Sequence, residues 1–148
     1  MYAEIDQLLN TYSYDHFAIA AQQNYKVTNN HVVYEAENIE RDLYKGGNSK
    51  TKKCDFVFNI YSRNIATAET MAEELEETII GTRGYINNLF FVTAFQTGEM
   101  HDYDHQAKVN IIRLYYTFKI RFSMFLSVDS YEITADSDTV TADGRAIL

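Results

Sequence analysis

The sequence predicts a single α+β domain: an antiparallel or mixed β-sheet with a principal amphipathic helix and a short N-terminal helix packed on one face. Three observations support this class. Apolar residues recur at helical spacing over about residues 65–80. Residues 54–61 and 108–122 alternate between apolar and polar side chains, as strands with one buried face do. The length of 148 residues and the apolar fraction of 46% suit one continuous core.

The principal helix has an apolar face and an acidic face. Its apolar residues recur at i, i+3, i+4, i+7 and i+11 and should pack on the sheet: Ala68, Met71, Ala72, Leu75 and Ile79. Its acidic residues are interpreted as a hydrated face: Glu69, Glu73, Glu74, Glu76 and Glu77. Asn64 or Thr67 can cap the N-terminus with a side-chain oxygen, and Gly81 lies where a glycine commonly ends a helix.

The other elements follow from periodicity and turn residues. Ile5, Leu8 and Leu9 predict a short helix over residues 2–11, whereas residues 17–21 fit a strand or a helical turn. The remaining segments are expected in this order: an irregular strand at 31–44, a lysine-rich loop at 45–53, a strand at 54–61, a strand at 88–97, a polar turn at 98–105 and the longest strand at 108–122.

The longest strand should bury one face and expose the other. Its even positions are expected to face the core: Ile112, Leu114, Tyr116, Phe118, Ile120 and Phe122. Its odd positions are expected to face outwards: Arg113, Tyr115, Thr117, Lys119 and Arg121. The strand at 54–61 alternates in the same way and should share one face among four apolar residues: Cys54, Phe56, Phe58 and Ile60.

The charge of the chain restricts its partners. The formal net charge of −8 argues against general binding to nucleic-acid phosphates over the whole surface. Half of this excess lies after Ser127, where five acidic residues face a single basic one, Arg145. We therefore expect one α+β domain over residues 1–126 and an acidic extension, extended or disordered, over residues 127–148.

The sequence also indicates where the protein is made. Residues 1–6 lack the basic and apolar regions of a secretory signal, and the longest apolar run, residues 89–92, is too short to span a bilayer. The one cysteine, Cys54, excludes an intramolecular disulfide and suits a reducing compartment. We expect synthesis in the cytoplasm and no membrane partner.

Few residues point to catalysis. His101 and His105, with Asp102 and Asp104 between them, are the one metal-like cluster, and a small metal-dependent enzyme is the hypothesis they raise. A solvated hairpin turn explains them better, because their spacing matches no zinc signature. Cys54 opens an apolar strand face and fits a buried side chain better than a nucleophile. No catalytic residue, metal site or cofactor is therefore predicted, and the chain is not expected to be an enzyme.

Two basic features are candidates for contact with subunits, partners or DNA. The first is the lysine-rich loop and the second is the outward stripe of the last strand: Lys45, Lys50, Lys52 and Lys53, then Arg113, Lys119 and Arg121. Both features are also explained as ordinary solvated surface positions. A further hypothesis is a binding module whose lysine-rich loop holds an acidic partner. The chain has no proline, so its edge strands lack that protection against pairing between subunits.

The order helix, strand, loop, strand, helix, strand, turn, strand over residues 2–122 resembles the tail terminator or tail-completion proteins of long-tailed bacteriophages. The closest stretch runs from Val32 to Gly81 and contains HVVYEAENIERDLYKGG and CDFVFNIYSRNIATAETMAEELEETIIG. The final strand, VNIIRLYYTFKIRF, is similar to the closing strand of that family. The acidic extension after Ser127 departs from the family's compact pattern.

This resemblance implies a virion protein of the tail or neck. Such proteins form a homo-oligomeric ring, typically a hexamer, that caps the head-proximal end of the tail tube. The ring would stop polymerisation of the tube protein and present a docking surface to the head connector, while DNA passes through its lumen without specific binding. A head-completion or neck connector protein, or a tail tube protein, is the alternative within the same structural class.

Overall fold

The computed structural model describes residues 1–19, 30–39 and 51–122. These residues form two α-helices and one six-stranded sheet. In chain order the elements are α1 (Tyr2–Leu8), β1 (Asp15–Ala18), β2 (His31–Ile39), β3 (Lys52–Ser62), α2 (Ile65–Ile80), β4 (Gly84–Ile86), β5 (Leu89–Asp104) and β6 (Val109–Phe122). A single 3-10 turn, Leu9–Thr11, extends α1.

The sheet is mixed, with the strand order β1-β2-β3-β6-β5-β4. β1 runs parallel to β2, and the other neighbours run antiparallel. The predicted α+β class is confirmed, and the expectation of an antiparallel sheet holds for four of the five strand pairs. The sequence did not decide whether residues 17–21 form a strand or a helical turn. The structure places Phe17 and Ala18 in β1. Residues 20 and 21 lie outside the described residues.

Both helices pack on the same face of the sheet, which we call the helix face. Of the predicted apolar stripe of α2, Ala68, Met71, Leu75 and Ile79 are fully buried and Ala72 is partly buried. The stripe covers the aromatic inner positions of the two central strands: Phe56, Phe58, Tyr116 and Phe118.

The prediction of an amphipathic helix with a hydrated acidic face is matched in part. Ile65 and Ile80, at the two ends of α2, are 46% and 50% exposed. Glu74 is held by the N-terminal segment, because its carboxylate accepts hydrogen bonds from the Ser13 amide at 3.0 Å and the Ser13 hydroxyl at 2.6 Å. The Tyr12 hydroxyl donates to the buried Met71 carbonyl at 2.8 Å and thereby ties the same segment to α2.

The two ends of α2 are closed differently from one another. Asn64 is the N-cap, since its side-chain oxygen accepts a hydrogen bond from the Thr67 amide at 3.1 Å. Gly81 ends the helix as predicted, but with a right-handed φ of −72°, and its amide donates a hydrogen bond to the Glu77 carbonyl. The Thr82 hydroxyl also donates back into the last turn, so no left-handed residue is needed to end the helix.

The prediction of a polar turn at residues 98–105 was wrong. β5 continues to Asp104, and the residues from Gly98 to Asp104 stay paired with β6, so the turn occupies residues 105–108. Two bulges in β5, at Val92 and Thr97, shift the alternation of side chains twice. A polar sequence on a bulged strand end resembles a turn, because its period of two is broken and its side chains are exposed.

The other predicted boundaries differ less from the observed ones. β3 begins two residues before the predicted strand, and β2 is described only to Ile39, so the predicted continuation to residue 44 lies outside the described residues. The predicted domain boundary at residue 126 and the acidic extension at 127–148 also lie outside them. No helix in the described part of the chain is long and apolar enough to cross a membrane.

The sheet face opposite the helices, which we call the far face, is buried at its centre. Thr117 points to this face as predicted, yet it is buried rather than exposed, and its hydroxyl donates to Asp55 at 2.7 Å. Val57 and Asn59 on the neighbouring β3 are buried beside it. Other side chains of the far face reach solvent, among them Phe95, which pairs with Thr117 and is 40% exposed.

Truncation of the α2 stripe should cost much of the stability of the fold. We expect Leu75→Ala to lower the free energy of unfolding by about 2–5 kcal/mol, because it leaves a cavity between α2 and the sheet. The matched control is Ile80→Ala on the same helix, which should cost less than about 1 kcal/mol since Ile80 is half exposed. Urea denaturation followed by circular dichroism measures both, and equal losses would contradict the described packing.

Candidate functional site

A cleft opens between α2 and the distal ends of β5 and β6, which are the ends beside the turn at residues 105–108. It encloses about 360 Å³, near the lower limit of common ligand pockets. Its floor is apolar and consists of Ala72, Ile112 and Leu114. Its rim is polar and mostly acidic: Glu69, Glu73, Glu76, Gln96, Glu99 and His101. We call this site the acidic cleft.

The cleft exists because β5 stops supplying apolar residues to the helix face. Ala94 pairs with Phe118 in the core, but further along the strand Glu99 pairs with Leu114 and His101 pairs with Ile112. Polar side chains retain their contact with water and do not pack against α2, so a cleft stays open there although Ile112 and Leu114 are themselves buried. The small side chain of Ala72 also leaves room on the α2 side.

The electrostatics of the cleft are dominated by carboxylates. The His101 ring is hydrogen-bonded to Glu99, and this bond is the main cause that holds the pKa of the Glu99 carboxyl below its usual range. The Tyr116 hydroxyl donates to the side-chain oxygen of Gln96 at 3.3 Å. Burial raises the pKa of that hydroxyl well above its usual value, and the nearby charges of Glu76 and Glu99 raise it further. The cleft is therefore suited to a cationic occupant.

A basic patch lies on the far face, at the opposite end of β6. Lys119 and Arg121 point outwards there, and Lys53 of β3 is the direct cross-strand neighbour of Lys119. The Lys119 ammonium lies 5.7 Å from the centre of the Phe95 ring, and the Arg121 guanidinium lies 5.1 Å from that of Phe90. We call these five residues the basic patch. Cation–π contacts of this kind contribute about 0.5–1 kcal/mol at exposed sites.

The structure joins parts of the two predicted basic features and separates others. Lys53 from the predicted lysine-rich loop lies beside Lys119 of the outward stripe, while Lys52 alternates to the other side of β3. Arg113 does not belong to the patch, because it lies six residues away on β6 and pairs with Asp102 at 3.5 Å. Lys45 and Lys50 lie outside the described residues.

The residues of the metal hypothesis do not converge on one point. His101 and Asp102 are adjacent on β5, so the strand directs them to opposite faces, with His101 in the cleft and Asp102 beside Arg113. His105 lies in the turn, with its ring 5.0 Å from the Tyr103 ring. Among residues 1–19, 30–39 and 51–122, no group of three or more His, Cys, Asp or Glu side chains could hold a metal ion. Cys54 is fully buried in the core.

Sequence reasoning missed the aromatic half of the basic patch and the β5 side of the acidic cleft. Phe90 and Phe95 have opposite parity and would lie on opposite faces of a regular strand; the bulge at Val92 brings both to the far face, where they neighbour Arg121 and Thr117. Glu99 and Gln96 were assigned to a turn and to a strand end.

The pairing of His101 with Glu99 gives a direct test of the cleft geometry. We expect His101→Ala to raise the pKa of Glu99 towards its ordinary value, because the hydrogen bond that favours the carboxylate is removed. Since the folded-state pKa is lowered, any stability that the pair contributes is present at neutral pH and is lost as the pH falls through that pKa. Side-chain carboxyl shifts in an NMR titration measure the change. The control is the Glu4 carboxyl, which accepts a hydrogen bond from Asn87 and whose pKa should not change. An unchanged pKa of Glu99 would contradict the pairing with His101.

Comparison with known proteins identifies the fold. No protein-family model matches the sequence, and neither does any curated protein. The structure is similar to that of a chain in the "Virion of native gene transfer agent (GTA) particle", with a TM-score of 0.56 and 17% sequence identity. The alignment covers 79% of this chain and 84% of that chain. The two chains therefore share a fold over most of their lengths.

Proposed function

We propose that this chain is a structural protein of a phage-like particle that forms a ring at the head-proximal end of the tail tube. There it stops polymerisation of the tube and presents the docking surface for the head connector. The observation that carries the proposal is the fold shared with a chain of a gene transfer agent virion, at a TM-score of 0.56 over 79% of this chain. The order of elements, which resembles the tail terminator family, supports the same location.

The surface of the chain suits an assembly protein. A stopper needs stable shape and distinct contact surfaces rather than reacting groups, and the acidic cleft and the basic patch supply two surfaces of opposite charge. In this proposal the partners are further copies of the chain in a ring, typically six, with the tail tube protein on one side and the head connector on the other. The protein is made in the host cytoplasm and resides in the tail or neck of the virion.

The charge of the chain fits a passage for DNA. A closed ring repeats the formal charge of −8 once for every subunit. An acidic wall repels the phosphate backbone, so DNA would cross the lumen without specific binding. The metal-dependent alternative has no geometric support, because the polar residues of β5 point to opposite faces of the sheet.

The proposal predicts the length of tails made without this protein. We expect particles from cells that lack its gene to carry tail tubes longer and more variable than normal, because nothing ends polymerisation. Electron microscopy of negatively stained tails measures this, and supply of the gene in trans is the control. Tubes of normal length without attached heads would favour the connector role instead, and absence of tubes would favour a tube protein. Normal, complete particles would contradict any role in assembly.

A further inference from the structure

The basic patch and the acidic cleft are complementary in charge but are separated within one chain. The patch lies on the far face and the cleft on the helix face, towards opposite ends of β6. Their nearest β6 members, Lys119 and Leu114, are five residues apart, or about 17 Å along a strand. A chain therefore cannot seat its own patch in its own cleft.

We propose that the basic patch of one copy docks into the acidic cleft of the next copy. This inference rests on the proposed ring and names the interface that would build it. Lys119 and Arg121 are two positions apart on one face, about 7 Å from each other. They can reach carboxylates on both walls of the cleft, Glu69 and Glu73 on α2 and Glu99 on β5. The guanidinium of Arg121 is suited to pair with a carboxylate through two parallel hydrogen bonds.

Shape and apolar contact favour the same pairing. Phe95 is 40% exposed beneath Lys119, and the cleft has an apolar floor of Ala72, Ile112 and Leu114. Docking would cover the exposed Phe95 ring over the partly buried Ala72 and the core residues Ile112 and Leu114, while the charges pair around the ring. Lys119 and Arg121 already lie over the Phe95 and Phe90 rings, so each cation reaches the partner together with an apolar ring.

The separation of the two surfaces sets the symmetry of the assembly. When the patch of one copy fills the cleft of a second, the first copy keeps an open cleft and the second keeps an open patch. Such a contact is head-to-tail, and it generates a closed ring when the rotation between copies closes. Nucleic-acid phosphates could also bind the patch, but they would not explain an acidic cleft with an apolar floor in the same chain.

Charge exchange between the two surfaces tests the interface. One variant, Lys119→Glu with Arg121→Glu, carries two acidic surfaces, and the other, Glu69→Lys with Glu73→Lys, carries two basic ones. We expect each alone to need at least about tenfold more protein for half-assembly than the wild type, because like charges meet. Their equimolar mixture should assemble again, since each basic surface meets an acidic one. Size-exclusion chromatography with light scattering, with and without tail tubes, measures the assembly.

The matched controls change charge outside both surfaces. Arg83→Glu and Glu37→Lys alter exposed residues and should assemble as the wild type does. Circular dichroism verifies that each variant is folded. Assembly of the equimolar mixture would show independently that both of its members are folded.

Each outcome bears on one proposal. Variants that assemble like the wild type, or a mixture that stays unassembled although both members are folded, would overturn this interface and leave the ring itself untouched. If the wild-type chain stays monomeric both alone and in the presence of tail tubes, the proposed ring is overturned, and the interface that rests on it fails as well. If Lys119→Glu with Arg121→Glu abolishes binding to a duplex DNA fragment but leaves assembly intact, the patch serves DNA and the interface proposal fails.

Discussion

The antiparallel pairing of β3 with β6 is the contact on which the rest of this structure depends. It runs without interruption from the pair Lys52 and Ile120 to the pair Ser62 and Asn110. Its register puts the aromatic inner positions of both strands on one face, where the Phe58 and Tyr116 rings meet edge to face with their centres 5.8 Å apart. A slip of one residue would turn this whole set to the far face, because side chains alternate along a strand. The apolar stripe of α2 would then have no surface on which to pack.

The same register places the charged surfaces. Because β6 alternates, the strand that supplies the core also directs Lys119 and Arg121 to the far face, and β3 adds Lys53 beside them. β5 follows β6 along its whole length and changes character on the way. Its first half packs Leu89, Phe91 and Ala94 into the core, and its second half brings polar residues to the cleft. Three neighbouring strands, β3, β6 and β5, thus determine the core, the basic patch and one wall of the acidic cleft.

The glutamates of α2 make different contacts according to their position around the helix. Glu74 lies on the side of the helix that meets the N-terminal segment, where it accepts the amide and the hydroxyl of Ser13. Glu69, Glu73 and Glu76 lie on the side that borders the cleft. A helical period of 3.6 separates these sides by a fraction of a turn, so the sequence shows an acidic face without showing what each acid meets.

The sequence by itself determined the α+β class, the span of α2, and the inner faces of β3 and β6, and it narrowed the cap of α2 to Asn64 or Thr67. These features depend on local periods of 3.6 and 2, which repeat long enough in each segment to be read directly. Only the tertiary structure decided the parallel β1, the extension of β5 to Asp104, and the meeting of Phe90 and Phe95 with Arg121 and Lys119. Strand pairing and bulges caused these differences: a bulge shifts every later side chain to the other face, and its position follows from the partner strand rather than from local composition.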